Sequence, residues 1–159
     1  MTPEQRHFRR VMGHFPTGVT IVTSRHDNGT PCGLTANAVA SVSLDPLLVL
    51  VCVDRTSETQ GSIARGGSFA VNVLAAEDED LARRFAHGDR GERFEGLALS
   101  QGGSGSPILS RALAWLDCRV KVIHEAGDHS IVVGEVLSCD ARDGEPLVFF
   151  NGEFHGIQD

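Results

Sequence analysis

The chain has 159 residues, a formal net charge of -7 and 41% hydrophobic residues, enough for one core and too acidic for a surface that binds nucleic acid or anionic lipid. Its four cysteines lack CxxC spacing, and His7, His14, His26, His87, His124 and His155 have no mutual metal-ligand spacing, which argues against a metal site and leaves the cysteines as buried free thiols. The charged amino terminus is no signal peptide, and no stretch approaches the roughly 20 apolar residues of a membrane span, so one cytoplasmic domain over 1–159 without a membrane partner is expected.

Thr2, Pro3 and Glu4 stand in cap order ahead of Phe8, Val11, Met12 and Phe15, which recur at helical spacing. A helix therefore opens the chain and stops before Pro16. Alternation predicts a strand over 19–24, and Asp27-Asn28-Gly29 predicts a hairpin turn because Asn and Gly tolerate positive φ. A strand over 31–37 returns from that turn. Asp45-Pro46 breaks the chain before an apolar strand over 47–53, and Ser57 caps a helix reaching Arg65. The next strand, over 68–74, sets Phe69, Val71 and Val73 on one face.

An amphipathic helix follows over 77–86, acidic in its first turn and basic near its end, the order that suits the macrodipole. Its charges call for no functional role. Residues 88–106 read as a glycine-rich irregular loop anchored by Phe94 and Leu97. Two long strands over 114–125 and 130–140 flank Ala126-Gly127-Asp128-His129, and Arg142-Asp143-Gly144 turns the chain into a last strand over 146–150. Strands dominate, with short helices between them, and the hairpins point to a closed or split antiparallel barrel.

Residues 33–54 carry the strongest chemical signal. Thr35, Asn37, Ser41 and Ser43 offer short polar groups to a flat heterocycle, while Gly33, Ala36, Ala38 and Ala40 let the backbone come close. Gly33-Leu-Thr-x-Asn, then Ser41-Val-Ser, Pro46, an apolar strand and Ser57-x-Thr59 resemble the signature of the flavin reductase domain, the short reductases that serve two-component flavin monooxygenases. Phe15-Pro-Thr-Gly-Val19, Phe69-Ala-Val-Asn72, Gly127-Asp-His129 and Pro146-Leu-Val-Phe-Phe150 with Gly152 extend the likeness over residues 6–156.

The resemblance implies a mainly β split barrel of the flavin-binding type, and NAD(P)H-dependent reduction of free FMN or FAD. It implies a flavin ring along Thr35, Ala36 and Asn37, a ribityl chain and phosphate along Ser41, Val42 and Ser43, and phosphate at Ser57 and Thr59. It further implies His129 in the nicotinamide site as the catalytic residue, and Phe154 near the flavin. Hydride transfer between two cofactors asks for stacking rather than acid–base groups, so a site without a nucleophile or a GxGxxG motif suits it.

Glu58 stands where relatives often carry a basic residue, so either it points away from phosphate or Arg55 supplies the charge. Lys121 is the only lysine, and the arginine bias reads as coding composition. A homodimer, an oxygenase receiving reduced flavin, and an exchangeable flavin complete the expectation. The rivals are a flavin oxidase of the pyridoxamine phosphate type on the same barrel, which needs a basic phosphate cluster, and a flavin-binding module without turnover.

Overall fold

Thr2 accepts the Gln5 amide on its hydroxyl while the Gln5 side chain returns to the Thr2 amide, and this reciprocal cap starts α1 (Pro3–Met12). The computed structural model describes residues 1–157. After α1 come β1 (Thr17–Gly18), β2 (Thr20–Arg25), β3 (Pro31–Ala36), β4 (Val39–Leu44), β5 (Leu47–Asp54), α2 (Glu58–Gly66), β6 (Ser68–Val73) and α3 (Glu79–His87). The chain finishes with β7 (Leu99–Gln101), β8 (Pro107–Leu109), β9 (Ala114–Ala126), β10 (His129–Ala141), β11 (Val148–Phe150) and β12 (Glu153–His155).

Seven antiparallel strands form one sheet in the order β3-β2-β6-β9-β10-β5-β4. Its two edge strands, β3 and β4, follow each other in the chain with only Asn37 and Ala38 between them. The sheet must therefore curl until its edges meet, which brings β3 against β5, while the Cys52 amide donates to the Ala38 carbonyl at 2.9 Å as a continuation of the β4–β5 ladder. Val22, Val49, Val51, Ile63, Phe69, Val71 and Val132 fill the interior of the curl, where α2 closes one end. A second cluster, with Ile21, Leu74, Leu81, Phe85 and Leu109, packs α3 onto the outside of the sheet.

Most expected elements are present with their ends moved by a residue or two. Gly29 takes φ 87° in the turn after β2, and the Asn28 side chain accepts the Thr30 amide there. Strand β4 differs: its mixture of serine, alanine and valine shows little apolar alternation, and it becomes a strand by pairing with β5. The loop expected over 88–106 also carries β7, which pairs with β8, and the last expected strand shortens to β11 and turns back as β12. Both faces of β6 are buried, so Ala70 and Asn72 are as enclosed as Phe69 and Val71. Hydrogen bonds offset the desolvation of Asn72: it donates to the Ile21 carbonyl and the Thr23 hydroxyl, and accepts the Leu109 amide at 2.9 Å.

The long β9–β10 hairpin bends through register shifts after Val133 and Val136. Gly134 sits at the first shift, where an added Cβ would lie 2.5 Å from the Phe69 ring and 3.0 Å from Cys118 Cβ. Gly134→Ala is therefore expected to lower unfolding free energy by about 1–3 kcal/mol, the usual cost of overpacking a filled core. Urea denaturation measures it, and an unchanged midpoint would show that Phe69 moves aside freely.

Candidate functional site

Strand β3 has a neighbour on one side only, so every second peptide along it faces away from β2. The Gly33 carbonyl is one of these outward groups, and it accepts Arg93 Nη1 at 2.8 Å. Thr35 follows two residues later and turns its peptide to the same side. Its hydroxyl has another task, donating to the Ala82 carbonyl of α3 at 2.5 Å. Thr35 thus offers its backbone to a ligand while its side chain ties β3 to α3.

Two cavities flank this point and share Thr35 and Ala86 as lining residues. The first, about 310 Å³, runs from β3 to the amino end of α2 and is lined by Cys32, Asp54, Ser57, Glu58, Thr59, Arg90 and Arg93 among others. Ser57 caps α2 by accepting the Gln60 amide at 3.2 Å, and its own hydroxyl donates to the Asp54 carbonyl at 2.8 Å. The amides of Glu58 and Thr59 remain as first-turn donors, with the helix dipole behind them. Arg93 Nε is buried without a hydrogen-bond partner, and partial burial is the first cause lowering the affinity of that guanidinium for its proton, with repulsion from Arg90 second. This wall has donors to spare for an anion.

The second cavity, about 340 Å³, is lined by Arg9, Asn37, Arg83, His87, Phe149, Gly152 and Phe154 with their neighbours. Phe154 packs against Phe149 with ring centres 5.4 Å apart, and the Arg83 guanidinium lies 4.9 Å from the Phe154 ring centre. The basic end of α3, expected to be an ordinary solvated face, thus forms part of this wall.

Thr35 lies in both cavities, Asn37 and Phe154 in the second, and Ser57 and Thr59 in the first. Ala36 is buried in the interior cluster, and its carbonyl accepts the Thr20 hydroxyl at 2.6 Å. Ser41, Val42 and Ser43 line neither cavity; they sit along the β4 edge, where Val42 marks a register shift and Ser43 Oγ accepts the Asp45 amide.

Arg55 departs from the expected arrangement. It reaches the β9–β10 hairpin, meeting Glu125 at 3.2 Å and the Gly127 carbonyl at 3.0 Å, and lines neither cavity. Glu58 stays at the first cavity and is paired with Arg90 at 3.0 Å. The cations at α2 are therefore Arg90 and Arg93, which the sequence reading missed. Their signal was two arginines three residues apart, directly before the Phe94 anchor that packs on Phe85 at 4.9 Å.

His129 stands opposite Asp54 in the β10–β5 register, one residue past the Gly127-Asp128 turn. Its Nδ1 lies 2.7 Å from the Asp128 carboxylate, which orients the ring and leaves Nε2 as its other polar atom. The Asp54 carboxyl is held below its ordinary range, first by the Thr56 hydroxyl and then by the Thr56 amide. Among the described residues, no cluster of three or more His, Cys, Asp or Glu is arranged to hold a metal ion.

The sequence model of the family described as "Flavin reductase like domain" matches residues 12–158. A reductase subunit named HsaB, of a flavin-dependent monooxygenase of Rhodococcus jostii, is 41% identical over 156 residues, covering 98% of this chain and 79% of that protein. The FMN reductase (NADH) SmoA of Agrobacterium fabrum is 42% identical over 149 residues, or 94% and 84% of the two chains. The solved NADH:FAD oxidoreductase SgcE6 of Streptomyces globisporus C-1027 superposes with a TM-score of 0.91 at 38% identity, covering 100% of this chain and 97% of that one.

Burial also governs thiol reactivity. Burial first of all pushes the Cys32 thiol up, against hydrogen bonds from Ser62 and Thr59, and burial pushes Cys118 up to about 12. A raised pKa keeps a thiol protonated until the pH approaches it, so both are expected to resist iodoacetamide at pH 8 in the folded protein. Cys139 is exposed and should be alkylated first. Mass mapping before and after unfolding checks this; rapid native labelling of Cys118 would contradict it.

Proposed function

The chain belongs to the flavin reductase like domain family, and we propose that it works by holding a flavin along the free edge of β3 and stacking a reduced nicotinamide against it. Its activity is NAD(P)H-dependent flavin reduction, and the reduced flavin supplies a partner monooxygenase. A bound flavin supplies the hydride-accepting ring, so the protein contributes position and charge. The observation that carries the residue assignment is the meeting, at Thr35, of an outward-facing peptide edge with the amino end of α2.

In this reading the Thr35 peptide bonds the pyrimidine edge of the ring and Asn37 adds its amide from the second cavity. The phosphate takes the free amides at Glu58 and Thr59, the Thr59 hydroxyl and the Arg93 guanidinium. The Ser57 hydroxyl already bonds at both ends, so Ser57 acts chiefly by shaping the helix start. Ala36, Ser41, Val42 and Ser43 form the backbone and short side chains beside the ring and ribityl chain, and Arg55 fixes the hairpin that carries His129. His129, oriented by Asp128, positions the nicotinamide.

Purified protein mixed with NADH and FMN should lose the nicotinamide absorbance under anaerobic conditions, in proportion to flavin supplied. Absence of that loss with both FMN and FAD would favour a binding module. The variant His129→Ala should raise KM for NADH or slow hydride transfer while leaving flavin affinity within about threefold, some 0.7 kcal/mol. A collapse of flavin affinity with normal turnover at saturation would move His129 to the flavin side.

We infer a homodimer as the working unit. Helix α1 buries no residue, and its apolar positions Phe8, Val11 and Met12, with Phe15 beyond them, are 66%, 53%, 50% and 68% exposed. A second copy is the cover this reading assigns to that face. Sedimentation at micromolar concentration should give about twice 17.0 kDa, and Phe8→Glu combined with Phe15→Glu should halve it. A wild-type monomer with full activity would overturn the dimer. We place the chain in the cytoplasm, where reduced nicotinamide nucleotides are formed and four free thiols stay reduced. No described helix is long and apolar enough to cross a membrane.

A further inference from the structure

The first cavity is lined by two carboxylates, Asp54 and Glu58, and by two guanidiniums, Arg90 and Arg93. Their formal charges cancel. Glu58 is the first residue of α2, beside the Ser57 cap, and its side chain lines the same cavity that the free helix amides face. It remains there because Arg90 meets it at 3.0 Å. Arg93 is partly committed to the Gly33 carbonyl, and Arg55 is drawn away to Glu125. His26, the other titratable group of the wall besides Cys32, is held by Ser62 Oγ at 2.9 Å.

Resting on the flavin reductase reading above, we propose that the Glu58–Arg90 pair is a specificity determinant that favours FAD over FMN. The phosphomonoester of FMN carries close to two negative charges at neutral pH, since its second ionisation falls near pH 6. Each phosphate of the FAD pyrophosphate has one ester and one anhydride link and carries one charge, so the second charge of FAD lies one phosphate farther along the chain. A carboxylate beside the phosphate position repels the concentrated dianion more strongly than a pyrophosphate whose second charge is farther off, and by occupying Arg90 it also withholds the cation that a dianion would gain most from. Hydrogen-bond donors at α2 serve both ligands alike. The site therefore accepts a phosphate through amides and dipole while discriminating by charge.

Fluorescence-quenching titrations of riboflavin, FMN and FAD into wild-type protein and Glu58→Gln test this without reliance on turnover. The variant should bind FMN about tenfold more tightly, FAD about threefold, and riboflavin unchanged within about twofold, with the gains shrinking as salt is raised. Arg90→Gln, which leaves Glu58 uncompensated, should weaken FMN more than FAD, and the double variant should return near wild type. Equal gains for FMN and FAD, or a riboflavin gain matching that of FMN, would overturn the proposal. Wild-type protein that consumes NADH with flavin, but whose FMN to FAD affinity ratio is the same in all four proteins, would sink this inference and spare the reductase reading. Failure of the wild type to bind any flavin or consume NADH would sink both.

Discussion

The two-residue link between β3 and β4 is the constraint on which the rest of the molecule turns. Strands at opposite edges of a seven-stranded sheet are made chain neighbours, so the sheet has to roll until its edges lie side by side. Antiparallel pairing does not seal that seam, because β3 and β4 are not hydrogen-bonded to each other and the Ala38 carbonyl is taken by Cys52 of the β4–β5 ladder. The outer edge of β3 consequently stays unpaired along Gly33 and Thr35. Helix α3 and the segment around Arg93 cover part of it with polar contacts, and the remaining gaps are the two cavities. Barrel closure and ligand space are one event.

Electrostatics divides the surface in a way the net charge conceals. A chain of formal charge -7 gathers Arg9, Arg83, Arg90 and Arg93 around the cavities. Three of the four are moderated by a partner: a ring under Arg83, a carbonyl for Arg93, a carboxylate for Arg90. Such pairing lowers the reward for capturing an anion, and a reductase that must release its reduced flavin gains from that restraint. A tightly clamped phosphate would turn the product into a fixture.

What the sequence reveals depends on how local the deciding energy is. The Thr2 and Ser57 caps, the Asn28-Gly29 turn and the apolar run of β5 follow from residues within a few positions of one another, and each was legible. Strand β4 was not, because Ala40, Ser41 and Ser43 acquire strand geometry only from the β5 ladder beside them. Charges misled in both directions. Arg55 sits two residues from Ser57 in the chain yet is captured by Glu125, seventy positions away, while Arg90 and Arg93 fell inside the irregular stretch 88–106 and came to the site through the fold. Thr35 and Ser57 were found as polar positions, but their hydroxyls are spent on Ala82 and on the α2 cap, a division of labour visible only in three dimensions.

That division has an evolutionary consequence. If the ring is read by the peptide of Thr35 and the phosphate by helix amides, the groups that recognise the flavin are present whatever side chains stand there, and a backbone can be lost only by losing the fold. Neighbouring side chains are then free to drift in size and charge without erasing the chemistry. Substitutions at the rim of this barrel would then retune which nucleotide is preferred, while the backbone that holds the flavin is inherited intact.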